Sequence, residues 1–445
     1  MSLRASDIVF IPAIPVLVSL VFLFLKSKPK YLPHMMAATM LTYLDFRYKD
    51  ICYVSYRGPS RGYSIGIPDI FTWGILLYIM FGAPKERKKV WWLPTGLLFI
   101  LIFDFWGLFA SLAAFNKQFA LFMVFKLFKA TLLFWTMFNA LTNEKRLRFL
   151  CLAASIGLIY LGGLVLYHKY VVHKHVIRAQ GPFSHPNTLV MMTNLLLPIA
   201  FAQLMRAKDN LTLIIHSMAT YCGAICVIFT KSRGGLAMMA LHFFIVIVIS
   251  LWNRITAQKA IVLVLFMIGA LITSIFAAPR LIARFQNADP SSKEARVRFN
   301  NAAKHMARDH FFGIGLNNYP FVLGTTLYYY DVYPEFVDEW KPIGEETSRL
   351  GVCHHVYYLV VAELGYVGLA LFILMITYQA IFTIPLAFFP KEPNSIANVI
   401  GIGAGAGLLT LHGQGLLEWA WFQSELMHVY FIVTAMIVAA RRMEY

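Results

Sequence analysis

The chain has 445 residues, of which 59% are hydrophobic and 14% charged, and its mean hydropathy is +0.64. That much apolar surface excludes a water-soluble globular domain and defines an integral membrane protein. The 39 Lys and Arg against 22 Asp and Glu leave a formal charge of +17, and the placement of this surplus along the chain carries the functional information.

Apolar runs long enough to cross a hydrocarbon layer, roughly 17–25 residues each, are predicted at 8–25, 31–47, 68–83, 90–110, 118–141, 149–168, 188–205, 211–230, 235–252, 260–278, 356–388, 396–416 and 425–440. The run 31–47 is short and polar for a span, and 90–116 carries Asp104 and Asn116, so about twelve or thirteen helices are expected. Alternate short loops hold Lys26/Lys28/Lys30, Lys85/Arg87/Lys88/Lys89, Lys145/Arg146/Arg148, Arg206/Lys208, Arg254/Lys259, Lys391 and Arg441/Arg442. Because Lys and Arg resist translocation, this set is read as cytoplasmic, with the N-terminus outside and the C-terminus inside. The first run lacks a basic flank beyond Arg4 and a clear small-residue cleavage site, so no cleavable signal peptide is expected. The expected organisation is a transmembrane bundle over 1–278, a large outer loop with amphipathic helices over 279–353, and transmembrane helices over 354–445.

Along the outer side, the segment 43–66 is aromatic and basic (Tyr43, Tyr48, Tyr53, Tyr56, Arg57, Arg61, Tyr63) and is placed to shape an acceptor entrance. Lys126 and Lys129, one turn apart inside a span, either snorkel outward or line an acceptor or lipid path. The outer loops then hold Arg178-Ala-Gln-Gly-Pro-Phe-Ser-His-Pro-Asn187, Lys231-Ser-Arg-Gly-Gly235, Arg296 and His354-His355. Asn187, after Pro186, is predicted to cap the following helix. Arg178, Lys231 and Arg233 have few acidic neighbours in sequence and stand on the side where topology depletes cations, which points to an anionic substrate. Nucleic acid is not expected, since no basic domain lies outside the membrane.

Cys52, Cys151, Cys222, Cys226 and Cys353 show no metal-ligand spacing. Cys222 and Cys226 read as packing residues in an apolar helix. Cys353 beside His354 offers a nucleophile–base pair, although chain neighbours rarely converge, and Cys52 and Cys353 offer an outer disulfide.

In the large loop, Pro290-Ser-Ser-Lys-Glu294 resembles a capping box and predicts a helix over 292–309. Arg296 shares a face with Phe299, Asn300, Ala303 and Ala307, whereas Arg298 falls with Asn301, His305 and Asp309, so Arg296 is expected to point at the protein. Phe311-Phe-Gly-Ile-Gly315 reads as a turn. Tyr328-Tyr-Tyr330 and Trp340, set among acids, suit either sugar rings or a membrane interface. Glu363 reads as a hydrogen-bonded structural group inside the membrane, and the Gly401-x-Gly-x-Gly-x-Gly407 run as close helix packing.

The order Gly181-x-Phe-x-His185-Pro-Asn187, Ser232-Arg-Gly-Gly235, Arg296, Asp309-His-x-x-Gly-Ile-Gly-Leu-x-Asn318, then His354 with Tyr357 and Glu363-Leu-Gly-x-x-Gly368 resembles the O-antigen ligase and O-antigen polymerase superfamily over roughly residues 175–370. The resemblance implies an all-α, polytopic, GT-C-like glycosyltransferase of the bacterial inner membrane with its active site at the periplasm. Such enzymes take a glycan from undecaprenyl diphosphate and pass it, with inversion and without metal or other cofactor, to an acceptor hydroxyl on lipid A core or on another repeat unit. Carried over by motif, the catalytic residues are Arg233, Arg296 and His354, with Arg178, His185, Asn187, Lys231 and His355 as candidate substrate-binding residues. His355 stands where the family commonly has Asn, which leaves two imidazoles in contention, although the spacing to Glu363-Leu-Gly365 favours His354. Phe311 replaces the usual proline, which keeps Arg298 as a minor competitor of Arg296.

These residue types suit the implied chemistry. A departing diphosphate gains negative charge that guanidinium forks stabilise bidentately. A sugar hydroxyl attacks only after a base removes its proton, and a neutral imidazole does this near pH 7. A lipid-linked glycan flippase, which would show related halves, a structural membrane subunit and a protein glycan ligase are the alternatives to a lipopolysaccharide ligase or a polymerase.

Overall fold

The computed structural model describes residues 5–45, 49–56, 58–82, 90–172, 178–207, 209–286, 290–325 and 351–444. Among these, α1 (Ala5–Ser27) and α2 (Leu32–Thr42) precede an antiparallel pair of strands, β1 (Lys49–Ile51) and β2 (Tyr63–Ile65), in which Asp50 lies opposite Ser64. There follow α3 (Ile67–Phe81), α4 (Leu97–Leu112), α5 (Lys117–Ala140), α6 (Glu144–Tyr167), α7 (Pro186–Arg206), α8 (Asn210–Thr230), α9 (Arg233–Asn253) and α10 (Ala257–Gln286). The amphipathic α11 (Pro290–Asp309) and the short α12 (Tyr319–Thr325) come next. Then α13 (Val356–Phe388), α14 (Ile396–Gln414) and α15 (Ser424–Glu444) complete the bundle.

Ten of the described helices are long and apolar enough to cross a membrane, and α3 and α4 are shorter apolar helices. The expected span at 31–47 is instead the 11-residue α2. At about 1.5 Å per residue it extends only ~16 Å, half a hydrocarbon layer. Polarity ends it at Tyr43, whose hydroxyl bonds the buried Asp69 at 3.0 Å.

At the centre stands α7, buried along its whole candidate span. Against it lies the glycine face of α14, where a Cβ on Gly403 or Gly407 would run into the α7 backbone at Ile199 or Leu195, so the glycine run serves close packing as expected. Residues from the N-terminal helices, from α11 and from α13–α15 belong to one continuous apolar core.

The chain after α11 is anchored on a break in α13. Gly365 has φ +70° and ψ −176°, a conformation open to glycine, and a Cβ there would strike the Phe311 carbonyl. The broken turn frees backbone groups that the 311–319 loop takes up. Ile314 N donates to Ala362 O (3.0 Å), Gly315 N to Glu363 O (2.9 Å) and Tyr366 N to Phe311 O (3.1 Å). The Glu363 carboxyl accepts from Asn317 N at 2.8 Å and Tyr319 N at 3.0 Å. Glu363 thus acts as a buried acceptor that fastens the loop, in line with its structural reading.

Lys126 and Lys129 neither snorkel nor line an open path. Both are buried. Lys126 Nζ donates to Pro59 O (2.7 Å) and Phe422 O (3.3 Å), and Lys129 Nζ to Ser64 O (2.7 Å) and Asp69 Oδ2 (2.9 Å). They tie the 49–66 segment to the bundle. A buried ammonium persists only with such partners.

Candidate active site

At one end of the bundle the first turns of α7, α9 and α13 meet the last turn of α8 and the α14–α15 connection. Local sequence explains each terminus. His185 caps α7 by accepting from Asn187 N at 3.1 Å, with Pro186 at the first helical position, where a missing N–H costs nothing. The cap expected at Asn187 is therefore on His185, and the Asn187 amide is free for other work. Lys231 ends α8 in the left-handed region (φ 51°), and Ser232 caps α9 by accepting from Gly235 N at 3.2 Å. His355 caps α13 by accepting from Tyr358 N at 3.3 Å and stacks on the Tyr358 ring at 3.9 Å between centroids.

Next to these capped ends, Asn187 and His354 converge on Glu418, which no sequence motif singles out. It lies between α14 and α15 and is buried. Arg296 Nη2 approaches its Oε1 at 3.0 Å, and the Asn187 Nδ2 amide donates to the same oxygen. His354 Nδ1 lies 3.5 Å from Oε2. Arg178 extends the network, with Nη2 donating to Asn187 Oδ1 at 2.9 Å and Nε to Thr230 O at 2.8 Å. Burial pushes the Glu418 carboxyl up, but contacts with His354, Arg296 and Asn187 outweigh it and hold the group below its ordinary value of 4.5. Glu418 is therefore an ionised, buried hub.

Arg296 reaches this hub from α11. Phe299, Ala303 and Ala307 on its face are buried, as expected, while Arg298 is exposed and pairs with Glu294 at 3.7 Å. Of the two arginines, Arg296 is the one that meets Glu418. The capping box proposed at Ser291 lies outside the described side chains, and Tyr328–Tyr330 and Trp340 lie outside the described residues. The Ser232-Arg-Gly-Gly235 turn sits against Leu417, whose Cδ1 a Cβ on Gly234 would meet at 2.9 Å. The turn that carries Arg233, with Lys231 preceding it, thus packs against the α14–α15 connection at Leu417.

The two neighbouring histidines differ in their contacts. His355 is used as a cap, and burial, then the Lys304 ammonium, hold its imidazole below the ordinary histidine range, which suits a neutral acceptor. His354 turns its ring toward Glu418. Cys353 is buried and contacts Asn300 Oδ1 at 3.1 Å, and burial pushes its thiol up, so it is not presented as a nucleophile. Cys52 and Cys353 are both free thiols, contrary to the disulfide considered for them. Among the described residues no group of three or more His, Cys, Asp or Glu is arranged to hold a metal ion.

An anionic ligand is expected from Arg178, Lys231 and Arg233 because few acidic residues neighbour them in the sequence. That inference is modified, because Glu418 neutralises part of the charge. Arg296 on Glu418 and Arg178 on Asn187 still outnumber this one carboxylate. The only sequence signal for Glu418 was its placement, an acid in a short connection on the arginine side.

An all-α bundle of membrane-spanning length, with guanidinium, carboxylate and imidazole groups converging at one end, defines a polytopic membrane protein built around a polar site. Residues 218–373 match the O-antigen ligase family, and over this segment the chain is similar to that family. The matched segment includes Arg233, Arg296, His354 and the Glu363–Gly365 anchor, whereas Arg178, His185, Asn187 and Glu418 fall outside it. None of the curated proteins compared with the chain matches it.

Proposed function

We propose that this protein transfers an oligo- or polysaccharide from undecaprenyl diphosphate to an acceptor hydroxyl on lipid A core at the periplasmic face of the inner membrane, with inversion and without a metal. His354 is the general base. Its Nδ1 faces Glu418, which favours the tautomer with the proton on Nδ1 and leaves Nε2 to take the acceptor proton. The acceptor oxygen attacks the anomeric carbon opposite the diphosphate, the C–O bond to phosphate breaks, and the diphosphate leaves carrying the electron pair. Arg233 and Arg296 stabilise that charge, with Arg178 and Lys231 adding to the field. His185, Asn187 and His355 hold the helix ends that frame the substrate. Glu418 positions the base and the Arg296 clamp together.

The observation that carries this reading is the shared carboxylate: Arg296 at 3.0 Å from one Glu418 oxygen and His354 at 3.5 Å from the other. A group for leaving-group charge and a group for proton removal stand on opposite arms of one buried acid. Transfer by the purified protein from undecaprenyl-diphosphate-linked glycan to rough lipopolysaccharide, with product configuration read by NMR, tests it. Inverted product that disappears in His354→Ala is expected, and retained configuration would overturn the displacement. Cells lacking the protein should show short lipopolysaccharide and accumulated lipid-linked polymer. Glycan halted at one repeat would instead make the acceptor another repeat unit and the enzyme a polymerase.

A further inference from the structure

At the end of the bundle opposite His354, α6, α7, the α9–α10 turn and the α13–α14 turn enclose a cavity of about 430 Å3. Arg148, Arg206, Arg254 and Lys259 line it, with Glu144 and Glu392 as its acids. Two of these cations are committed. Lys259 Nζ closes the end of α9 by bonding Ser250 O (2.6 Å) and Arg254 O (2.8 Å), and Arg148 pairs with Glu144 at 2.9 Å. Arg206 uses only Nε, on Asn394 O at 2.5 Å. Among the described residues, no hydrogen bond or ion pair engages the Arg206 Nη groups or the Arg254 guanidinium. The first turns of α6, α10 and α14 also stand in the wall, adding the positive ends of their dipoles.

Large apolar side chains adjoin the lining residues along the chain. Trp252 and Ile255, on either side of Arg254, are 78% and 77% exposed, and Phe389, three residues before the lining Glu392, is 73% exposed. Asn253 Nδ2 bonds Ala387 O at 2.7 Å and holds the two turns together. An exposed tryptophan and aliphatic chain beside an arginine suit the boundary between hydrocarbon and head groups, and leave water as the less favourable neighbour.

We infer that this cavity binds the phosphate of an anionic phospholipid head group, with the acyl chains lying against Trp252, Ile255 and Phe389. Arg206 and Arg254 in its lining supply unspent donors. α7 and α9 run from this cavity to Asn187 and Arg233, so an occupying lipid braces the two helices that carry site residues at their other ends.

The full-length protein, purified with phosphatidylglycerol or phosphatidylcholine and examined by native mass spectrometry, tests this. Preferential retention of phosphatidylglycerol is expected. Arg254→Gln should lower that retention about fivefold, the effect of one interfacial cation, and Arg254→Lys should preserve most of it. Glu392→Gln should raise retention, a gain that a misfolded variant cannot give. Equal retention of the two lipids, or indifference to both charge changes, overturns the inference. Displacement of phosphatidylglycerol by an equal concentration of soluble glycerol phosphate would assign the cavity to a water-soluble phosphate and overturn it as well.

Discussion

Two ion-paired clusters in this molecule look alike in composition and differ in finish. In one, Lys129 and Asp69 meet at 2.9 Å with side-chain exposures of 3% and 1%, Lys129 also donates to Ser64 O, and Gly66 N and the Tyr43 hydroxyl donate to Asp69. In the other, Arg296 meets Glu418 at 3.0 Å, but the arginine is 36% exposed and the carboxylate 7%, and His354 beside them is 27% exposed. The first cluster is sealed, and both of its charged groups are bonded within the protein. The second buries its acid and leaves its cation and imidazole facing outward. Full satisfaction marks a structural device, whereas a buried anchor with half-open partners marks a place where something else binds.

The contrast is sharpest if the open cluster governs transfer and the closed one stability. His354→Ala should lower transfer by roughly 10²–10⁴-fold, the usual worth of a positioned base, with membrane insertion unchanged. In vitro transfer alongside size-exclusion profiles of the purified variant checks this. Asp69→Leu, which strands the Lys129 ammonium, should destabilise the protein by about 3–5 kcal/mol. Replacing Lys129 with Met in the same chain should restore much of the loss in a thermal-unfolding assay. If Asp69→Leu instead abolished transfer in a stably folded protein, the division between the clusters would fail.

Removing charge from the site should cost somewhat less than removing the base. Arg233→Ala should lower transfer by about 10²-fold, the scale seen when one donor to developing negative charge is lost, and normal glycan from this variant would remove Arg233 from the reaction. The smallest effect belongs to the hub. Glu418→Gln keeps the side-chain shape but not the charge, and should cost about tenfold in transfer. Because its neighbours hold the Glu418 carboxyl below 4.5, its ionic contribution to stability is complete above that ordinary value. It is lost as pH falls through the lowered one. The gap in thermal midpoint between wild type and Glu418→Gln should therefore be constant above about pH 5 and narrow in more acid buffer.

What could be read from the sequence follows from how local each signal is. Apolar length located nearly every long helix, and the 3.6-residue period alone separated Arg296 from Arg298. Grouping the Arg178, Arg233 and His354 loops on one side needed only the alternation of basic loops. Glu418 escaped because no motif surrounds it, and its meaning comes from three side chains that arrive from α7, α11 and α13. Lys126 and Lys129 were misjudged because their acceptors, Pro59, Ser64, Asp69 and Phe422, lie far along the chain. Histidine in place of the commoner capping residues concealed the start of α7 at His185.

The seam between the 311–319 loop and the interrupted α13 sets a phase relation. Arg296 sits on a screw whose angle is locked, through Phe311, Ile314 and Gly315, to the rod that begins at His354. One residue inserted between Asp309 and Phe311 would rotate α11 by about 100° relative to that seam and swing the guanidinium away from the imidazole. The meeting of Arg296 with His354 therefore depends on an unchanged residue count from Asp309 to Gly315.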